Sequence, residues 1–389
     1  MKKAWAIQEE TVAHRRYLHE RAEVGFDTPL TMDYIDKTLK GYGYRPKRLP
    51  KGGIIAEIGK KEGGRDEFIL LRADVDGLKM VERSGLPFAC KTGHMHACGH
   101  DFHASSLLSA AKLLIKERLS NPVRLLFQPA EEVLEGAKYA LEKGVCDDVV
   151  AAFSLHVLSG VDIPVGKVLC AGAGVLAPSA DTFEVRITGK GCHGATPYQG
   201  VDSLATATTI TQALIEMIAK EIPIGEGLLT IGKLEGASAP NVISGEVIVG
   251  GSCRAFDEEV RAFIKRRVAQ IAKGIATAYR AQAKVRFFGG CPCLVQDRDL
   301  LEKTKKTFCE GLGKEGIISA AEDGRKMGAS EDFAYISAAV PSVLVSVSAA
   351  QKGGGYPLHH PKVVFDERAL PTCVASYLAF ATQKIKKER

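Results

Sequence analysis

Residues 103–128 read HASSLLSAAKLLIKERLSNPVRLLFQ. In the first half, Leu107, Leu108, Ala111, Leu114 and Ile115 share one face at helical spacing, while VRLLFQ, beyond Asn121 and Pro122, is a short β-rich run bounded by turn residues. FILLRA at 68–73 is a second such run on the other side of the helix. Strand, helix and strand in that order are the unit of an α/β domain. Working outward, IIAEIG at 54–59, VVAAFSL at 149–155 and PSVLVSVS at 341–348 supply further strands, and the segment through Gly41 has helical apolar spacing. The expected architecture is α/β, a mixed, mostly parallel sheet flanked by helices.

The rhythm breaks once. From Asp181 to about Gly289 the chain reads TFEVRITG, a helix over DSLATATTITQALIEMIA, then LLTIGKLEG, EVIVGGSCRAF, a charged helix and KVRFF. That β, α, β, β, α, β order resembles a ferredoxin-like α+β unit. A length of 389 residues also favours two domains. The expected division is a discontinuous domain of 1–180 and 290–389, interrupted by a smaller domain at 181–289. Cys291 and Cys293, which flank Pro292 at the return, read as a buried hinge.

Composition narrows the function. With 46% hydrophobic and 25% charged residues the chain can bury a large core. Its net charge of +6 is spread along the sequence, dense only in the terminal KIKKER, which reads as a solvated tail, so no nucleic-acid partner is expected. No stretch approaches a membrane span, and MKKAWAIQEETVAHRRYLHE turns charged too early for a signal peptide. Ten cysteines without an export signal read as thiols, ligands or small buried hydrophobes, which makes the cytoplasm the expected compartment.

The histidines are clustered. Of ten, His94, His96, His100 and His103 crowd one short segment, and His359 and His360 are adjacent. Polar clusters follow the expected strands: RADVD at 72–76, PAEE at 129–132, His156 after 149–155, and LHHP beyond 341–348. Open α/β sheets bind ligands along that carboxyl edge. HMHACGHD at 94–101 lies in a loop running into the helix expected to begin near His103, so it can join the same rim. The donors suited to a metal are Cys98, His100, His156, the Glu131/Glu132 pair, and His359 or His360. They exceed what one tetrahedral ion needs; two ions sharing a bridging ligand, Cys98 or a water, would use them all. One glutamate of the pair can bind metal while its neighbour takes a proton from water.

The ordered set LRADVDGL, GHMHACGHDFH, QPAEE, LHV, GKGCHGATP, APNVI, GASEDFAY and PLHHP resembles the M20 metallopeptidase family, in particular its amidohydrolase branch of aminoacylase, hippurate hydrolase and auxin-conjugate hydrolase type. The resemblance spans nearly the whole chain. It implies metal-dependent hydrolysis of N-acyl amino acids, N-acetyl, N-aroyl or similar, to a free amino acid and a carboxylic acid. It further implies that Cys98, His100, Glu132, His156 and His359 hold two divalent ions and that Glu131 is the general base. Asp74 matches an aspartate that orients a metal ligand. His193 matches a residue that reaches a neighbouring active site and stabilises an oxyanion, while Asn241 and Arg254 match groups that hold a substrate carboxylate. Glu331 and Asp332, in SEDF, are expected to support the site's ligands or the fold rather than to take part in the reaction. A thiolate favours zinc and a carboxylate tolerates manganese, with cobalt and nickel also candidates. A homodimer or higher homo-oligomer acting on a small-molecule substrate is the implied assembly. Phe102, Cys192 and Ser244 depart from the branch's pattern and bear on the acyl pocket and the inserted domain. Three other readings stand beside this one: a dipeptidase or aminopeptidase of the same family, a non-catalytic metal-binding protein, and a thiol enzyme with Cys98 as nucleophile.

Overall fold

A computed structural model describes residues 1–59, 67–236, 239–319 and 327–385, so the end of the KIKKER run lies outside the described residues. The chain divides into two compact units, one of Met1–Leu176, Val295–Lys326 and Glu331–Arg389, the other of Ala177–Leu294 and Met327–Ser330.

In the larger unit the strands lie in the order Lys47–Arg48, Ile54–Ile58, Val123–Gln128, Phe68–Asp74, Val149–Leu158, Ser342–Ser348, Val168–Cys170 and Ile317–Ser319. Among the described residues four of the seven pairings are parallel, including all three that join the strands beginning at Val123, Phe68, Val149 and Ser342. Every residue of Phe68–Asp74 and all but the last of Val149–Leu158 are buried. Strands covered on both faces have no polar side to alternate with, which is why these segments read as unbroken apolar runs. The helix His100–Leu114 is buried at thirteen of its fifteen positions, packed against the Phe68 strand and the helices Gln8–His19 and Leu370–Ala381. Within the core Phe153 stacks on Phe380 with ring centroids 4.7 Å apart.

Two local expectations shift. The helix starts at His100 rather than near His103, because Gly99 at φ 87° makes the turn into it. A Cβ at Gly99 would lie 2.4 Å from Val157 Cγ2, so only glycine allows this loop against the Val149 strand. That strand also runs to Leu158, not 155. Its parallel ladder with Ser342–Ser348 continues through Ser346 opposite His156 and Ser348 opposite Leu158, which places His156 inside the strand.

The smaller unit carries four antiparallel strands in the order Gly227–Glu235, Glu246–Ala255, Ser179–Thr188 and Gln282–Cys291. With the helices Ser203–Glu221 and Glu258–Ala278 they complete a β-α-β-β-α-β sequence. The first and last strands run past residues 181 and 289, since their ladder pairs Ala180 with Cys291. Ser179–Thr188 alternates in burial, with Phe183, Val185 and Ile187 packed against Ile210, Leu214, Ile264 and Val268. Asp202 and Asp257 cap the two helices through their side chains. Among the described residues no helix is long and apolar enough to cross a membrane.

Candidate metal centre

Four segments of the larger unit converge. Asp74 ends the Phe68 strand and Asp76 follows it; Glu131 and Glu132 lie just beyond Val123–Gln128; Cys98 precedes the buried helix and His100 opens it; His156 comes from the Val149 strand. A fifth segment, the late loop, brings His359, whose main-chain N–H donates to Ala97 O at 3.0 Å. Of the five non-glycine residues at positive φ among the described residues, three bracket this place: Ala130, Leu134 and His359. Strain of this kind persists where the surroundings over-determine the backbone, commonly at functional sites.

Cys98, His100 and His156 bring one ligand atom each to within 4.8 Å of one another, and so do Cys98, Glu132 and His359. Cys98 belongs to both triads. Its Sγ lies 3.4 Å from His156 Nε2, while Glu132 Oε2 lies 3.6 Å from His359 Nε2. His360 is turned elsewhere, stacked on Tyr356 at 4.2 Å.

The hydrogen bonds select tautomers. His100 Nδ1 donates to Asp76 O at 2.8 Å and His156 Nδ1 donates to Val157 O at 2.7 Å, so in the neutral rings both Nε2 atoms present lone pairs. His100 Nε2 and Glu132 Oε1 are buried without a hydrogen-bond partner. Orphaned acceptors in a dry site are unfavourable by about 1–3 kcal/mol each unless something positive meets them. Soft thiolate, imidazole and carboxylate together suit divalent transition ions, so the residues fit the implied metals.

Electrostatics point the same way. Burial, with Glu331 and Asp332 close by, holds the Glu131 carboxyl well above its usual range, and burial pushes Glu132 up to about 7. Burial likewise raises the Cys98 thiol and lowers His156 to about 3. His100 is the exception: burial opposes its charge, but Asp74, Cys98 and Asp76 together outweigh burial and hold it well above the ordinary value. A cluster of buried acceptors short of positive charge is a setting that cations relieve.

Residues beyond the expected ligands hold this cluster. Asp76 accepts from the Glu131 and Glu132 N–H groups at 3.0 and 3.2 Å. Asp74 Oδ1 takes the His103 Nδ1 proton at 2.5 Å, and His103 Nε2 accepts from the Val157 N–H at 2.9 Å. Asp74 thus bonds His103 directly and lies 3.8 Å from His100 Nε2. Arg72, fully buried, reaches Asp74, Gln128, Glu331 and Asp332. The second aspartate of RADVD and the spacing of His100 and His103 on one helical turn were the available signals. Phe102 is also fully buried, against Phe365 and under the Arg15 guanidinium, and fills core.

His193, Asn241 and Arg254 belong to the smaller unit. His193 is paired across a short ladder with Val242, and the Gly194 N–H donates to Asn241 O at 2.8 Å, so the first two are neighbours there. Both are exposed. Arg254, half-buried, donates to Ser330 Oγ at 2.6 Å. The Ser244 hydroxyl lies 2.7 Å from both Gly236 O and Glu246 O, and Cys192 Sγ reaches Thr196 O at 3.5 Å.

The sequence profile of peptidase family M20/M25/M40 matches residues 70–383, a span that holds every donor described above. The chain belongs to this family. It is 36% identical over 385 residues to an N-acetyl-L-cysteine deacetylase from Bacillus subtilis, covering 97% of this chain and 88% of that protein. It is 34% identical over 387 residues to IAA-amino acid hydrolase ILR1-like 2 from Arabidopsis thaliana, covering 96% and 85%. Among solved structures, a Bacillus subtilis protein described as a dinuclear metal binding peptidase of the M20 family superposes with a TM-score of 0.80 at 32% identity, covering 97% and 98%. The family's fold is therefore the fold of this chain along nearly its whole length.

Proposed function

We propose that this M20 family member is a binuclear metal-dependent amidohydrolase that cleaves N-acyl amino acids into an amino acid and a carboxylic acid. The observation that carries the reading is the pair of donor triads sharing Cys98, with His100 Nε2 and Glu132 Oε1 buried without a hydrogen-bond partner. Relatives named as an N-acetyl-L-cysteine deacetylase and an IAA-amino acid hydrolase support the substrate class. Cys98, His100, Glu132, His156 and His359 are the ligands in this reading. Two divalent ions, when bound, polarise the amide carbonyl and acidify the attacking water. Glu131, which no donor triad with Cys98 requires, takes a proton from that water as its oxygen bonds to the carbonyl carbon. It then passes the proton to the amide nitrogen as the C–N bond breaks.

Asp74 fixes His103, and the Asp76 carbonyl fixes His100. The Ala195 N–H donates to His193 Nδ1 at 3.1 Å, so the neutral His193 ring carries its proton on Nε2, the form an oxyanion donor needs. Asn241 and Arg254 hold the substrate carboxylate, and the smaller unit serves as lid and dimer contact. Buried free thiols at Cys90, Cys170, Cys253 and Cys373 suit a reducing compartment and support the cytoplasm.

Glu131→Gln tests the mechanism. The expected result is a kcat on N-acetyl amino acids lowered by about 10²–10⁴ with full metal content. Retained activity would remove Glu131 from the role of base, and activity surviving exhaustive chelation would favour Cys98 as a nucleophile.

A further inference from the structure

We propose that Arg72 is a positioning residue for Glu131, an inference that rests on Glu131 being the base. Among the described residues the Glu131 carboxylate accepts one hydrogen bond, from the Asp332 main-chain N–H to Oε1 at 3.4 Å, while its Oε2 lies 3.8 Å from His100 Nε2. What locates the Asp332 main chain therefore sets the position of one oxygen of the base. The Asp332 side chain is anchored on three sides: Arg72 Nη2 at 2.6 Å, Gln128 Nε2 at 2.8 and 3.0 Å, and the Ala137 N–H at 2.8 Å. Glu331, beside it, meets Arg72 Nη2 at 3.0 Å.

Glu131, Glu331 and Asp332 bring carboxylate oxygens within 4.8 Å of one another, all three buried. Left to themselves these groups repel. The Arg72 guanidinium bonds two of them directly, and its own main chain is pinned in a fully buried strand where the Tyr377 hydroxyl donates to Arg72 O at 2.8 Å. Its fork is fully used: Nε holds Gln128 at 3.0 Å, Nη1 holds Asp74 at 2.8 Å and Nη2 holds the 331–332 pair. Arg72 thus joins the aspartate that fixes His103 to the segment that fixes Glu131. A lysine keeps the charge but not the fork, and its ammonium cannot hold Gln128, Asp74 and Asp332 together.

Kinetics of Arg72→Lys in two backgrounds test this. Against the native chain, kcat on an N-acetyl amino acid is expected to fall by roughly 10- to 100-fold, since small misplacements of a reacting group have effects of that order. KM and metal content are expected to stay within twofold. In the Glu131→Gln background the same substitution should change kcat by less than twofold, because its effect travels through Glu131. An unchanged kcat, a loss matched by lost metal, or an equal factor in both backgrounds would overturn the assignment. Should Arg72→Lys fail to fold, Asp332→Asn sets an amide NH₂ against either the Ala137 N–H or Arg72 Nη2, whichever way it turns, and should give the same pattern, smaller; no change in kcat refutes the proposal. If Glu131→Gln alone is fully active, the base assignment falls and this inference with it. An inactive Glu131→Gln beside a fully active Arg72→Lys removes only Arg72.

Discussion

The two units carry their proposed functional groups in opposite ways. In the larger unit Cys98, His100, Glu131 and His156 are buried, and each histidine has its Nδ1 tied to a main-chain carbonyl. Only His359, half exposed and at positive φ, stands partly outside that enclosure. In the smaller unit His193 and Asn241 are exposed and held by main-chain pairing in a short ladder. The larger unit has therefore met the desolvation and ordering of its site during folding. The smaller unit instead leaves the side chains of His193 and Asn241 open to solvent.

The first way to break this contrast is His193→Ala. Loss of an oxyanion donor lowers kcat by about 10²–10³, and an exposed side chain should leave the melting temperature unchanged. A large fall in melting temperature would show that His193 is structural and that the contrast is wrong. Mixing inactive His193→Ala chains with inactive Glu131→Gln chains sharpens it: recovered activity requires that one site draw on two chains, whereas no recovery confines each site to one.

A second test concerns how deeply the larger unit depends on buried charge. His19 donates from Nδ1 to Asp101 Oδ2 at 2.9 Å and faces Glu82 Oε1 at 3.1 Å through Nε2. Burial lowers its pKa, but Asp101 and then Glu82 outweigh burial and bring it up to about 9 from an ordinary 6.5. A raised folded-state value means that this stabilisation is complete below pH 6.5 and is lost as pH rises through about 9. The shift corresponds to about 3 kcal/mol. Urea unfolding at pH 6 and pH 9.5 should show stability falling with pH, and His19→Gln should flatten that slope. A slope unchanged in the variant would place the pH dependence elsewhere.

The contrast also explains what could be read from sequence. Buried parallel strands such as FILLRA and VRLLFQ announce themselves as apolar runs, and polar residues just past them mark the rim, so the cluster of candidate donors was legible. Arg72 was not: a lone arginine within an apolar strand looks like a surface position, and its partner Asp332 lies 260 residues away. The tautomers of His100 and His156 were equally hidden, because main-chain carbonyls set them. The start of the buried helix depended on a left-handed Gly99 wedged against Val157, a tertiary constraint with no local signature. In the smaller unit alternation over TFEVRITG was legible because one face of that sheet is covered by helices.

The smallest expected effect tests whether the smaller unit's stability and its chemistry are separable. Asp202 caps the helix Ser203–Glu221, accepting from the Leu204 and Ala205 N–H groups at 2.9 and 3.1 Å. The carboxylate also faces the positive end of that helix. Asp202→Ala removes the cap and should lower stability by about 1 kcal/mol. Residues 189–201, which carry His193, lead directly into this helix, with the Val201 N–H donating to Lys190 O at 2.9 Å independently of Asp202. Turnover of N-acetyl amino acids at 25 °C should thus remain within twofold while the urea midpoint drops. A tenfold loss of kcat at unchanged midpoint would mean that the cap, and not the His193 ladder, sets the geometry of the exposed groups.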